Sequence, residues 1–411
     1  MTHHCHEPVA SLFSSRLVAL ALLLLSARLE ASDPAEQPLF DSTSESSAPY
    51  LRYDADKGLR YTSPDEQTDL WIGLRFQFRT DSLPGQIRSV SDLQPPPNGA
   101  TELKRGRVKG GGTLFSEDLE IYSEYNFPTN SLLDYRGTWH ITDTFNVRVG
   151  QWKSDYNRER IDSSGKQQFV DRSLSNYWFT LDRQMGTSLN FRLNEGESFD
   201  STVWLQYLSG YGLGASYADD SGLWMVRWQW NPQGEVLGFS QADLDRTEDF
   251  ISAVTLGAVY GDSRFTRFSS SGGGQLPGYG FGNYRFNQIM FETAAKWRGW
   301  SWQQELHWKD IETRGTGTHQ SILGGYAQIG TFPSEYCIHL PKPLELVARA
   351  AHVTPDVSLS NNAQWEFALG TNWYFNGHRN KISADVSTLN MNSPTGAESE
   401  ARFRLQWEVS F

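Results

Sequence analysis

Cysteine is almost missing from this chain: Cys5 and Cys337 are the only two in 411 residues. Cys5 falls in a segment expected to be removed, so no intramolecular disulfide is expected to staple the fold. Long hydrophobic runs are missing too. The one apolar run, Leu17–Leu25, follows Arg16 and precedes the small residues Ala27, Ala31 and Ser32. It is far shorter than the roughly 20 residues that a membrane-spanning helix requires. It matches the hydrophobic centre of a secretory signal, with cleavage expected near Ala31; a buried hydrophobic helix is the competing reading. Excess positive charge is the third absence. The net charge is −12, and removing residues 1–31 leaves it unchanged because Glu7 and Glu30 leave with Arg16 and Arg28. That balance argues against nucleic-acid binding, which needs a basic footprint. His3, His4 and His6 have the look of a metal cluster but would leave with the signal. No metal site and no cofactor are expected.

What the chain has is alternation. In Ala401–Phe411, Phe403, Leu405, Trp407, Val409 and Phe411 fall on one face of an extended strand, and Arg402, Arg404, Gln406, Glu408 and Ser410 fall on the other. Side chains of a strand point to opposite faces with period 2. A face this apolar opposite one this polar suits a strand between lipid and a wet lumen. A terminal Phe on such a strand resembles the ending that the outer-membrane assembly machinery reads. Aromatics make up 13% of residues, with 15 Trp, enough for belts of amphipathic rings at two membrane interfaces.

The alternation begins at Leu70–Arg79 after an aperiodic Ser-, Pro- and acid-rich stretch. It recurs near Leu119–Phe127, Phe145–Trp152, Phe199–Ser209, Trp224–Trp230, Trp300–Lys309, Leu344–Ala351, Trp365–Phe375 and Lys381–Thr388. Weaker segments are Glu102–Phe115, Leu133–His140, Met185–Leu193, Phe250–Tyr260, Tyr284–Arg298 and Ser321–Gly330, the fifth mixing polar and apolar residues on both faces. Together they predict an all-β, antiparallel transmembrane barrel of about sixteen strands. Short joins at Ser116, 141–143, 194–196 and 376–378 alternate with long polar loops at 81–101, 153–184, 261–283 and 353–363. Such barrels have short periplasmic turns and longer extracellular loops. Asn231–Asp249 breaks the rule: it should be short and is long, either a structured periplasmic excursion or a missed hairpin. The expected layout is a signal peptide over 1–31, a periplasmic lead-in over 32–66 and the barrel over 67–411. A soluble propeller or stacked sandwich would explain neither the terminal Phe nor the loop alternation.

About sixteen strands enclose an aqueous channel. Inward-facing Arg75, Gln77, Arg79, Glu120, Glu124, Asn146, Arg148, Arg192, Gln206, Glu305, Glu345, Arg349, Glu366, Asp385 and Arg404 need water or one another, because unpaired burial costs several kcal/mol each. The longest loop, Lys153–Gln184, carries six bases and five acids. Any selectivity there has to come from geometry. An enzyme reading requires a nucleophile, a base and an orienting acid held together. His140, His307, His319, His339, His352 and His378 are scattered and sit in no such signature, so no catalysis is expected.

Several segments resemble a known family. They are Lys104–Gly110 with Gly112–Phe115, Leu119–Phe127, and Val147-Arg148-Val149-Gly150-Gln151-Trp152-Lys153, which is similar to its "VRVGQFK". Glu159-Arg160, Ser163-Ser164, Asp171-Arg172-Ser173-Leu174 and Asp182-Arg183-Gln184-Met185-Gly186 continue the pattern in order. These resemble the phosphate-selective porins O and P. The resemblance implies a trimeric sixteen-stranded porin of the bacterial outer membrane whose third extracellular loop, here Lys153–Gln184, folds into the lumen. It implies rows of Arg and Lys that attract small anionic solutes, including phosphate or polyphosphate. The expected pore-lining set is Arg148, Lys153, Arg158, Arg160, Arg172 and Arg183. Ser154-Asp155-Tyr156 departs from the family by placing an acid beside Lys153. A general non-selective porin and a non-conducting structural or adhesin barrel are the alternatives. The partners expected are outer-membrane lipid, the barrel-assembly machinery through Phe411, and two further copies of the chain.

Overall fold

The computed structural model describes residues 50–83, 90–93, 99–214, 221–393 and 396–411. The expected signal segment, its histidines and the lead-in up to residue 49 lie outside the described residues. The strands are β1 (Tyr50–Asp54), β2 (Gly58–Thr62), β3 (Asp69–Asp81), β4 (Ala100–Thr113), β5 (Leu119–Asn126), β6 (Ser131–Thr142), β7 (Phe145–Lys153), β8 (Arg183–Leu193), β9 (Ser201–Leu208) and β10 (Gly222–Trp230). They continue with β11 (Ile251–Ser263), β12 (Arg267–Ser269), β13 (Gly272–Gly274), β14 (Tyr284–Trp297), β15 (Trp300–Thr313), β16 (Thr318–Thr331), β17 (Leu344–Thr354), β18 (Gln364–Asn376), β19 (Asn380–Ser393) and β20 (Gly396–Ser410).

Strands β3–β11 and β14–β20 pair antiparallel with their neighbours, and β20 returns to β3, closing a 16-strand barrel. Closure satisfies every edge, which an open sheet in lipid cannot do. The last residue completes the seam: Phe411 N donates to Leu74 O at 3.0 Å and Leu74 N to Phe411 O at 2.6 Å. The pattern read from the final strand holds. Phe403, Leu405 and Trp407 are exposed on the outside, while Arg402, Arg404, Gln406 and Glu408 are buried within. Among the described residues, no helix is long and apolar enough to cross a membrane. Cys337 is a free, exposed thiol.

Two features were not anticipated, and the open reading of the 231–249 stretch is resolved. Residues 50–62, expected within an aperiodic lead-in, form the β1–β2 hairpin, which extends the sheet by pairing Leu59–Thr62 with Asp69–Ile72. Its apolar residues Leu51, Tyr53, Leu59 and Tyr61 continue the exposed outer face of the barrel. A small hairpin, β12–β13, lies in the 264–283 connection. The long 231–250 connection holds no strand, so it is a folded excursion and the count of sixteen stands. Apart from 231–250 and 332–343, long connections (154–182, 264–283) gather at the end opposite the barrel's termini, and tight ones (143–144, 298–299, 377–379) lie at the terminal end.

Candidate functional site: the lumen wall and the loop against it

The 154–182 segment contains two short helices, α1 (Arg158–Ile161) and α2 (Leu174–Phe179), and is otherwise irregular. Its sequence offers reasons: Asp155, Asn157, Asp162, Ser163, Ser164 and Gly165 favour local turns over long regular structure. Irregular backbone away from bulk water must find partners for its N–H and C=O groups, and here inward-facing side chains supply them. Arg227 donates to Tyr156 O at 3.0 Å, Gln77 to Ser164 O at 3.0 Å, Asn372 to Gln168 O at 2.8 Å and Lys309 to Trp178 O at 3.1 Å. Carboxylates take the amides. Glu292 accepts from Arg158 N at 2.9 Å, Glu305 from Glu159 N at 2.7 Å, Asp385 from Val170 N at 2.9 Å and Glu366 from Leu174 N at 2.7 Å. These partners come from β3, β10, β14, β15, β18 and β19, so the loop lies among inward side chains from β10 round to β3.

Apolar contacts hold the same loop. Tyr156, Leu174, Trp178, Phe179 and Leu181 join inward-facing Met225, Val259, Phe286, Met290 and Ile311 in one buried cluster. Gly257 makes room for it, since a Cβ there would sit 3.3 Å from the Tyr156 ring. Burying aromatic rings such as these stabilises by roughly 1.5–3 kcal/mol each. The β9–β16 side of the lumen is therefore packed.

The six bases expected to line the pore are committed within this packing. Arg148 pairs with Asp155 at 2.8 Å, Arg158 with Glu292 at 3.0 Å, Arg160 with Asp182, and Arg183 with Asp134 at 2.7 Å. Lys153 donates to Ile161 O and Asp162 O at 2.7 and 2.9 Å, and Arg172 to Glu159 O and Asp162 O at 2.8 and 2.9 Å. Five of them tie a piece of the loop to itself or to the wall, and Arg183 joins β8 to Asp134 on β6 where the loop ends. Asp155, the acid that departs from the family pattern, accepts the Arg148 tie. Of the six, Arg148 keeps the most open side chain among those in ion pairs, 19% exposed. Within the loop, burial and the adjacent Glu305 push the Glu159 carboxyl up to about 7.

A second set of bases lies on the adjacent strands β20, β3 and β4: Arg402 and Arg404, Arg75 and Arg79, then Arg105, Arg107 and Lys109. Arg404 is matched by Asp385 at 2.7 Å, Arg75 by Glu408 at 2.9 Å and Arg79 by Asp171 at 2.7 Å. Others are under-matched. Arg107 and Lys109 share Glu124, the second at 3.9 Å. Arg402 reaches Glu366 only at 3.5 Å, where Arg349 is closer at 2.9 Å. Arg105 donates to Gln77 Oε1 at 2.7 Å and has no carboxylate within ion-pair distance among the described residues. Its charged surroundings are Arg79, Arg107 and Arg75 against Asp171.

This wall borders two cavities. One of about 100 Å³, towards the far end, is lined by Arg172, Arg402, Arg404, Asp81, Asp171 and Glu366, with Tyr177 beside them. One of about 600 Å³, at the terminal end, is lined by Lys57, Arg75, Lys109, Lys166, Arg379 and Glu408, with Ser163 and Gly165 of the loop. A Cβ on Gly165 would collide with the Glu408 carboxylate, so the loop tip meets the wall closely here. Sequence reading placed Arg75, Arg79 and Arg404 inside but singled out none of them. The readable signal was the basic Lys104–Lys109 run on β4, the neighbour of the seam strand β3. Among the described residues, no cluster of His, Cys, Asp and Glu forms a metal site.

Comparisons with known proteins agree with this architecture. Residues 115–411 match the family described as phosphate-selective porin O and P. No curated protein matches the sequence. Among solved structures, the trimer form of the outer-membrane protein OmpT of Vibrio cholerae superposes with a TM-score of 0.55 at 9% identity, covering 83% of this chain and 99% of that one. An anion-selective porin from Comamonas acidovorans gives 0.51 at 8% identity, covering 84% and 100%. The outer-membrane channel DcaP of Acinetobacter baumannii gives 0.51 at 8% identity, covering 84% and 97%. At such identities these likenesses speak to the fold alone. With the family match spanning most of the barrel, the chain belongs to the phosphate-selective porins O and P and is a channel for small solutes in the bacterial outer membrane.

Proposed function

We propose that this porin passes small anions by passive diffusion, oxyanions such as phosphate or polyphosphate among them, along the wall formed by β20, β3 and β4. The observation that carries the reading is the under-matched charge there: Arg105 without a carboxylate among the described residues, and Lys109 and Arg402 sharing distant ones. Arg's planar fork suits an oxyanion because it offers two donors at once, and several weak sites in series let a solute leave as well as enter. Arg105, Lys109 and Arg402 meet the solute in this reading. Arg148, Lys153, Arg158, Arg160, Arg172 and Arg183 shape the path and add positive potential from behind it. The 154–182 loop acts as the constriction, and the terminal end of the barrel faces the periplasm. A trimer form in the OmpT comparison supports a homotrimer. The signal segment 1–31 serves export and the terminal Phe411 serves assembly, while the 32–66 stretch contributes the β1–β2 hairpin to the sheet.

Flux into liposomes tests this. Phosphate is expected to enter faster than a neutral sugar of similar size and to depress chloride current when added to it. Equal entry of both, with chloride current untouched by phosphate, would leave a general porin and remove the anion reading. A folded barrel without flux of any solute would favour the structural alternative.

A further inference from the structure

Between β10 and β11 the barrel departs from its own habit. A join between neighbouring antiparallel strands needs as few as two residues, yet 231–250 is far longer and reaches from β11 to the β18–β19 turn at the terminal end. Its start is anchored: Asn231 donates through its amide to Asp200 O and through Nδ2 to Asp200 Oδ1, both at 2.8 Å. Leu237 then buries against Ile251, Ala253 and Ala294, inward residues of β11 and β14.

The middle of the segment grips the 154–182 loop. Gly238 O accepts from Arg158 Nη1 at 2.8 Å, and the Phe239 ring lies 5.0 Å from the same guanidinium. Gln241 Oε1 accepts the amide of Gln168 at 2.8 Å and the side-chain nitrogen of Gln328 on β16 at 3.2 Å. The far side is then fastened. Ser240 Oγ lies 3.0 Å from Nε2 of His378, in the β18–β19 turn, and Ala242 buries with Phe332 and Tyr374. Arg246 stacks over Phe332, 3.4 Å from its ring centre, and pairs with Glu335 at 3.0 Å.

Ordering this many residues costs conformational entropy that a plain turn would not. The contacts run from β11 across to the β18–β19 turn and meet the loop at two points. We infer that residues 231–250 form a second constriction element, entering from the end opposite the 154–182 loop, which pins that loop at Arg158 and Gln168 and sets the conductance jointly with it. The element leaves clear the side that holds the cationic wall and its 600 Å³ cavity. The inference rests on the channel reading above.

Single-channel recording of the purified barrel in planar bilayers tests it. One variant replaces residues 233–248 with a short Asn-Gly turn. A second, Phe239→Ala with Gln241→Ala, keeps the backbone and removes both side-chain grips. Heat-modifiable migration on gels reports folding. The turn variant is expected to raise conductance about twofold or more and the double variant by a smaller factor, with ion preference kept because the cationic wall is untouched. Folded variants with wild-type conductance overturn the inference. If the turn variant fails to fold, the double variant decides alone. A silent wild type beside a conducting variant supports the element as a plug. Silence from every folded protein overturns the channel reading together with this one.

Discussion

The two sides of this lumen solve the same problem in different ways. On the β9–β16 side, the buried bases Arg158, Arg227 and Lys309 meet a carboxylate or backbone carbonyls. Glu292 takes both Arg227 and Arg158, at 2.7 and 3.0 Å, and the aromatic cluster closes over them. On the β20–β3–β4 side, bases outnumber the carboxylates within reach, and cavities remain beside them. The inward faces look alike in sequence. What differs is whether the loop fills the space beside them. A buried charge must be paired, so charge that tolerates under-pairing marks where water and solute remain.

Removing a matched charge on the packed side should have the largest effect. Glu292→Ala leaves Arg158 and Arg227 buried without their carboxylate, and the expected loss is about 3–5 kcal/mol. It would be read from the urea midpoint of the folded barrel, and a change below about 1 kcal/mol would erase the contrast between the two sides. On the other side, Arg105→Glu should leave the midpoint within about 0.5 kcal/mol of wild type. The same change should lower the anion-to-cation permeability ratio by about tenfold, equivalent to about 1.4 kcal/mol.

The smallest effect concerns pH. Glu159, next to Glu305, has a carboxyl raised to about 7, against roughly 4.3 for a free one. Between those values the docked loop holds a proton that a released loop would not, so docking weakens as pH rises through that window and is flat above it. Wild-type conductance should therefore creep upward from about pH 5 to about pH 7. Glu159→Gln should flatten that profile, and an unchanged slope in the variant would remove Glu159 as its source.

How much of this could be read from sequence follows the same division. Strands whose inward face stays polar, such as β20 with Arg402, Arg404, Gln406 and Glu408, were legible as clean alternation. β14 was not, because Tyr284, Phe286 and Met290 point inward into the aromatic cluster while Ile289 and Phe291 face out, making both faces apolar. The β1–β2 hairpin carried its own short alternation, Leu51 and Tyr53 against Leu59 and Tyr61, obscured by the polar stretch before it. The closed barrel and the loop's position in chain order were visible. Which bases are free was not. Arg158 finds Glu292 134 residues away, and no local pattern announces such a match.

The most direct measurement is the reversal potential across a potassium chloride gradient, taken for the wild type and for Arg105→Glu with Arg402→Glu. An anion-selective wild type whose potential moves towards the cation side in the variant is the result this account predicts. A cation-selective wild type, or two identical potentials from folded barrels, would contradict it.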